Sequence, residues 1–355
     1  MKARKPDLVG FYLTDDQIDM AYAVGPDPDQ NAESNIRLEE GRSGVLSERF
    51  EEDEPPAAGI RRAVARLKEV TDHVRSACVG SYGPFVSLRE GEPDYGRLQS
   101  IEPKRPLRGI NLHAVFRAAF IEHFGRAPVT LRIETDVACA ALGEVYRRYT
   151  DKGIWIEDGR TKVLAFMKVS IGIGGAISQS TSPYQGRLHS EMGQIIVRKW
   201  RDPWRDPLDD EARFEGVGPY HGRLESFASV RAIKERFGQS FEDLEGVQDH
   251  PAWHREAWYL AQACMTLTAL TAPSHIILGG RIMGVPGLLK KVRHEFRRFL
   301  GIDPYPRYDE VLKKDYIDSD IDPITGSPHR PGALGALVLA AARGRRRSAD
   351  MYETE

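Results

Sequence analysis

One local pattern occurs twice along this chain, and the repetition limits the folds it can adopt more than any other feature. Leu8 to Leu13 and Ile18 to Val24 are short apolar runs on either side of Thr14-Asp15-Asp16-Gln17, which reads as a β-hairpin with a polar turn. Val163 to Val169 and Ala176 to Ser178 flank Ser170-Ile171-Gly172-Ile173-Gly174-Gly175 in the same way, with glycines in the turn. Segments with apolar residues at helical spacing follow each hairpin: Ile60 to Val70 and Leu112 to Phe124 in the first half, Leu224 to Phe237 and Ala252 to Leu270 in the second. There is no residue-level repeat. A chain of 355 residues exceeds the usual size of one hydrophobic core, so the expectation is two related α/β lobes around one cleft.

Where the halves meet, Pro128-Val129-Thr130-Leu131-Arg132-Ile133 is β-branched and alternating, while Val137, Ala141, Val145 and Tyr149 recur at helical spacing. Asp136 falls where the period changes. A carboxylate there stands at the carboxyl end of a sheet strand, where open α/β folds place ligands, and beside a helix N-terminus that favours its ionised form. That position suits a general base. It equally suits a helix cap, a role open to Thr135 or Asp136.

The rest of the chain supplies the connections. Residues 26 to 57, rich in Pro, Asp, Glu and Ser, read as surface loop with room for one more strand. Ser76 to Pro84 is a strand breaking into a Gly/Pro turn. Residues 200 to 222 form an irregular polar excursion, His275 to Gly280 a buried strand meeting a tight glycine turn, and Val285 to Phe299 a further helix. Gly332 to Ala342 is a small-residue helix suited to close packing, and 343 to 355 is a flexible tail whose Arg345-Arg346-Arg347 run reads as a solvated terminus.

Charge narrows the partners. Lys and Arg number 50 against 52 Asp and Glu, a formal net charge of -2, so nothing points to nucleic acid or an anionic membrane, and a small polar molecule is the expected partner. No window reaches the roughly 18 uninterrupted apolar residues of a membrane span, and no apolar segment follows Met1 to Pro6 as in a signal peptide. Cys78, Cys139 and Cys264 are far apart and each lies in an apolar run, the pattern of reduced, buried thiols. A cytoplasmic location is therefore expected.

The order of motifs then becomes recognisable. Ser81-Tyr82-Gly83-Pro84, Thr135-Asp136-Val137 with Ala140-Ala141-Leu142-Gly143-Glu144, Glu191-Met192-Gly193, Gly218-Pro219-Tyr220-His221-Gly222, Tyr259-Leu260-Ala261-Gln262-Ala263 and Ile276-Ile277-Leu278-Gly279-Gly280 together resemble the ROK family of bacterial sugar kinases, most closely its fructokinase branch, over residues 76 to 342. The resemblance implies an actin-like (RNase H-like) α/β sugar-kinase fold with sugar and ATP between two lobes, and a homodimer as the assembly. It implies a small lobe of residues 1–135 closed by the C-terminal helix 332–342, and a large lobe of residues 136–325. In that family the aspartate matching Asp136 takes the proton from the attacking sugar hydroxyl. Glu191 matches a glutamate that accepts hydrogen bonds from the sugar, His189 completes a fructokinase-like His-x-Glu pattern, and Thr135 joins the substrate side. The resemblance further assigns Gly172 and Gly174 to the ATP phosphates, Gly279 and Gly280 to the nucleotide base, and Mg²⁺ to the neutralisation of phosphate charge.

Departures from the family pattern concentrate on phosphate and metal. Its first hairpin carries a Gly-Gly-Thr-Lys turn whose backbone N–H groups approach the ATP phosphates. Here Asp16-Gln17-Ile18-Asp19 align with it, and two carboxylates would repel a triphosphate. The second phosphate turn keeps two glycines and loses a threonine hydroxyl, while Arg281 replaces the third glycine of the base turn, where it is expected to shield the base site or contact phosphate. At the family's structural zinc positions stand Gln194, Gly218 and His221, with Arg223 beginning a shortened segment. Only one ligand survives, so zinc is predicted absent and the loop around Trp200 and Trp204 is expected to be held by packing. Two readings stay open: an ATP-dependent kinase of fructose or a related hexose, modified sugar or cyclitol, and a degenerate relative that binds a sugar or sugar phosphate without transfer. A ROK repressor is disfavoured, because the chain begins almost at once with the hairpin.

Overall fold

The computed structural model describes residues 5–25, 43–100, 107–149, 163–180, 182–185, 189–200, 214–218, 221–301, 311–320 and 331–342. Two compact units emerge, one comprising Met1–Cys139 with Ala333–Glu355, the other Ala140–Gly332. Each is built on a five-stranded sheet.

In the first unit, β1 (Leu8–Leu13) and β2 (Gln17–Ala23) form the expected hairpin, and β3 (Ser43–Arg49) extends it antiparallel. On the other side of β1 lie β4 (Ser76–Ser81) and β5 (Thr130–Thr135), both parallel to it, giving the order β3-β2-β1-β4-β5. The crossovers contain α1 (Pro56–Arg66) and α2 (Leu112–Phe124). Helix α2 starts where the Asn111 side chain accepts the Ala114 N–H and stops at Gly125, in the left-handed region. Its Phe116 and Phe120 meet Phe11 of β1 edge-on, with ring centroids 4.8 and 6.0 Å away. Strand β5 runs without a break into α3 (Asp136–Tyr149).

The second unit repeats the plan. β6 (Val163–Val169) and β7 (Ile173–Gln179) pair antiparallel, the short β8 (Ser182–Pro183) extends them, and β9 (His275–Gly279) and β10 (Ile317–Ser319) add parallel on the far side. The order β10-β9-β6-β7-β8 is that of the first sheet, strand for strand. The segment expected as one helix from Leu224 to Phe237 is two, α4 (Leu224–Ala228) and α5 (Val230–Phe237). Ser229 turns extended between them, its Oγ accepting the Ala232 N–H at 3.2 Å, while the Val230 N–H donates to the Ser170 carbonyl at 2.9 Å. The chain leaves the helix there to anchor the glycine turn. Next come α6 (Phe241–Leu244), the long α7 (Pro251–Thr271) and α8 (Leu288–Leu300).

The last helix, α9 (Pro331–Ala341), packs on the first sheet from Ala333 onward. A Cβ on Gly10 of β1 would lie 2.1 Å from the Leu337 nitrogen, so the small-residue face rests directly on the strand. Cys78, Cys139 and Cys264 are all free and buried. Burial, with Cys78 beside it, pushes the Cys139 thiol well above its ordinary value. Among the described residues no helix is long and apolar enough to cross a membrane.

Candidate functional site

Within each sheet the parallel strands end on one edge, and the motif residues lie at those carboxyl ends. On the first sheet these are the β1–β2 turn, Ser81 at the end of β4 and Asp136 just past β5, with Ser81 paired in register with Thr135. Asp136 is buried, 7% exposed, and its Oδ1 accepts the Val137 N–H at 2.9 Å. Capping of α3 falls to Thr135, whose Oγ1 accepts the Ala138 N–H at 3.2 Å. Behind them, Glu134 is fixed by the Thr135 N–H at 3.0 Å and by Arg132 at 3.2 Å.

The two carboxylates of the first hairpin turn are held differently. Asp19 does not face outward: it lies within β2, 5% exposed, and its Oδ1 accepts from Gln17 Nε2 at 2.8 Å and Ser47 Oγ at 2.6 Å. The turn is Thr14 to Gln17, closed by the Thr14 N–H on the Gln17 carbonyl at 2.9 Å and the Gln17 N–H on Thr14 Oγ1 at 3.1 Å. Thr14 Oγ1 also donates to Asp16 Oδ1 at 2.7 Å.

On the second sheet, Gly172 closes the β6–β7 turn, the Ser170 N–H donating to its carbonyl at 2.9 Å, and Gly174 lies in β7 opposite Lys168. A Cβ on Gly172 would meet Glu225 Oε2 at 2.7 Å, and that oxygen accepts the Ile173 N–H at 2.7 Å. The same carboxylate would be 3.2 Å from a Cβ on Gly193. Glu225 of α4 thus joins the glycine turn to the Glu191-Met192-Gly193 motif, and the motif reading missed it. Its only sequence signal was an acid in the first turn of a helix just after His221-Gly222. Glu191 itself is exposed, and His189 Nε2 lies 2.8 Å from its Oε1, so the imidazole and carboxylate act on the same space.

Gly279 ends β9, and Gly280 turns the chain at φ +89°, with the Val169 carbonyl 2.5 Å from where a Cβ would be. Only glycine fits there whatever it binds. Beside them stands Asp320, 5% exposed, whose Oδ2 would be 2.5 Å from a Cβ on Gly279 and whose Oδ1 has no partner among the described residues. Burial, reinforced by the charge of Glu144, pushes its carboxyl up to about 7. Arg281 pairs with Glu242 at 2.7 Å and lies over the Phe241 ring.

The donors at the zinc positions do not fit a closed tetrahedral site. Gln194 and Gly218 offer no imidazole or thiolate, and His221 Nδ1 lies 2.9 Å from the Glu215 carbonyl. Trp200 packs edge-on against Trp258 at 5.2 Å, and its N–H donates to the Tyr259 hydroxyl at 3.0 Å; Trp204 lies outside the described residues.

Comparison with known proteins fits this arrangement. A model of the ROK family matches residues 49–341. A fructokinase of Zymomonas mobilis is 30% identical over 280 residues, 78% of this chain and 81% of the relative. Among solved structures, a ROK hexokinase from Thermus thermophilus has a TM-score of 0.62 at 18% identity, covering 94% of this chain and 97% of the other. A ROK family glucokinase from Streptomyces griseus, in complex with glucose and AMPPNP, gives 0.56 at 19% identity, covering 94% and 98%. The two sheets and their helices are those of the actin-like α/β sugar-kinase fold, and the chain belongs to the ROK family, as a fructokinase-like member.

Proposed function

We propose that this protein transfers the γ-phosphoryl group of ATP to a hydroxyl of fructose or a closely related hexose. The observation that carries the reading is Asp136: a buried carboxylate at the carboxyl end of β5, its Oδ1 accepting the Val137 N–H in the first turn of α3. In the proposed reaction Asp136 accepts the proton of the sugar hydroxyl as that oxygen attacks phosphorus. The Thr135 hydroxyl accepts from Ala138 and keeps its own hydrogen for a sugar oxygen. Glu191, paired with His189, accepts hydrogen bonds from further sugar hydroxyls, and Glu225 adds a second carboxylate next to the same motif. ATP enters as its Mg²⁺ complex, whose metal offsets phosphate charge. Gly172 and Gly174 form the turn assigned to the phosphates, and Gly279 and Gly280 the turn assigned to the base.

The test is a coupled assay of ADP release with Mg-ATP over a hexose panel. ADP release that requires a hexose, fastest with fructose, supports the reading. Hexose binding by calorimetry without any ADP release would replace it with the non-transferring sugar binder.

A further inference from the structure

The Tyr259-Leu260-Ala261-Gln262-Ala263 motif takes no part in the reaction above, yet the structure gives two of its side chains specific work. Tyr259 and Gln262 are three residues apart on α7 and so share a face of that helix. Gln262 pairs with both backbone groups of Arg198: the Arg198 N–H donates to Oε1 at 2.7 Å, and Nε2 donates to the Arg198 carbonyl at 3.0 Å. One turn earlier, the Tyr259 hydroxyl accepts the Trp200 N–H at 3.0 Å. The Trp258 indole also donates to the Arg198 carbonyl, at 3.4 Å. Helix α7 therefore holds the end of the segment that begins with His189 and Glu191.

The second carboxylate is fastened to the same place. Phe227, two residues beyond Glu225, stacks on the Tyr259 ring with centroids 4.9 Å apart and planes 8° from parallel. Between the two segments run backbone bonds, the Val197 N–H to the Gly222 carbonyl at 3.1 Å and the Leu224 N–H to the Ile195 carbonyl at 2.8 Å. Tyr259 is fully buried and touches both strands of this ribbon.

We infer that Tyr259 and Gln262 are positioning residues that set the separation of Glu191 and Glu225, and through it the affinity for the sugar. The inference rests on the sugar reading of those two acids. Neither residue is assigned a contact with substrate. A side-chain amide can replace a β-bridge because it offers one donor and one acceptor in a plane, which neither a carboxylate nor a thioether reproduces.

The experiment measures fructose affinity by calorimetry, and KM and kcat for fructose and ATP, in the full chain carrying Gln262→Met, Gln262→Glu, Tyr259→Phe or Gln262→Met with Tyr259→Phe. Gln262→Glu keeps the acceptor for the Arg198 N–H, and Tyr259→Phe keeps the stack on Phe227. The expected result is a KM for fructose raised on the order of tenfold by Gln262→Met, from the loss of two bonds, and less by Gln262→Glu. The double variant shows the largest rise, while kcat and the KM for ATP stay within about twofold of the parent. A folded double variant with unchanged fructose affinity overturns the inference and leaves the sugar reading standing. Uniform loss in both substrates that tracks a lowered melting temperature also overturns it, assigning the pair to stability alone. Absence of any hexose binding in the parent removes the sugar reading and this inference together.

Discussion

The β1–β2 and β6–β7 hairpins hold the same place in their sheets, yet one closes on its own side chains and the other on a carboxylate from a distant segment. Thr14, Asp16 and Gln17 close the first turn with their own side chains, the Asp16 carbonyl accepts the Phe50 N–H at 2.9 Å, and Asp19 is tied to Ser47 on the neighbouring strand. The second turn is glycine, and its Ile173 N–H is met by Glu225, 52 residues on. A turn closed by its own side chains is set largely by its own sequence. A turn completed from another segment is coupled to that segment, so a change at Gly172 reaches the acids beside Glu191.

The same contrast extends to buried carboxylates. In the first unit Asp7 is held by Arg75 at 2.8 Å and the Gly25 N–H at 2.6 Å, while Asp19 and Glu134 are hydrogen-bonded as described. In the second unit Glu256 on α7 is fully buried with neither oxygen partnered among the described residues, and Asp320 has one such oxygen. Burial pushes Glu256 up to about 8, against a partial pull downward from Arg236. The second unit thus holds two incompletely satisfied acids beside the arginine-paired Glu144 and Glu295, whereas these three acids of the first unit are hydrogen-bonded, and each difference can be broken by substitution.

The largest expected effect is at Asp136, where the first unit contributes chemistry rather than a turn. Asp136→Asn keeps the shape and removes the base, and kcat should fall by roughly 10²- to 10⁴-fold with fructose affinity retained in calorimetry. Next comes Gly172→Ala, whose new Cβ at 2.7 Å must push Glu225 off the Ile173 N–H. The KM for fructose should rise on the order of tenfold, with little change in melting temperature because the displaced group is the end of a flexible side chain.

Glu256→Gln sharpens the comparison of carboxylates. Because the folded-state value lies near 8 and the ordinary value is 4.5, the folded protein holds this proton more tightly. The stability it contributes is full below the ordinary value and is lost as pH rises through 8, at up to about 1.4 kcal/mol per pH unit. Thermal unfolding of the variant should therefore depend less on pH between 5 and 8, with its gain over the parent greatest at pH 8. Smallest is Thr14→Ala, which removes the side chain that closes the first turn. It should cost about 1 kcal/mol in unfolding and leave both KM values unchanged.

Much of the fold was legible because its signals are local. The first hairpin, α2 and the β5–α3 junction follow from alternation and helical spacing, and the structure sets them within a residue or two of the expected bounds, while β7 starts at Ile173, three residues before the expected return strand. Strand β10 escaped because Ile317-Asp318-Ser319 contains one apolar residue and is recognised only by its pairing with β9. Likewise the break at Ser229 depends on a bond to Ser170 that no helical pattern reveals. At the site, Asp136, His189 and Glu191 were marked by motif order. Glu225 and Gln262 act through partners 52 and 64 residues distant and Asp320 through burial, and sequence spacing carries no record of either. The tie between Asp19 and Ser47 went unread for the same reason, since the partner lies on a strand 28 residues away.

The central claim is phosphoryl transfer to a hexose, and its most direct measurement is a phosphorus NMR time course of the parent protein with fructose and Mg-ATP. The account predicts a growing sugar-phosphate resonance matched by loss of the γ-phosphate of ATP, with no such resonance from Asp136→Asn over the same period. ATP left intact beside fructose that calorimetry shows to be bound would contradict it.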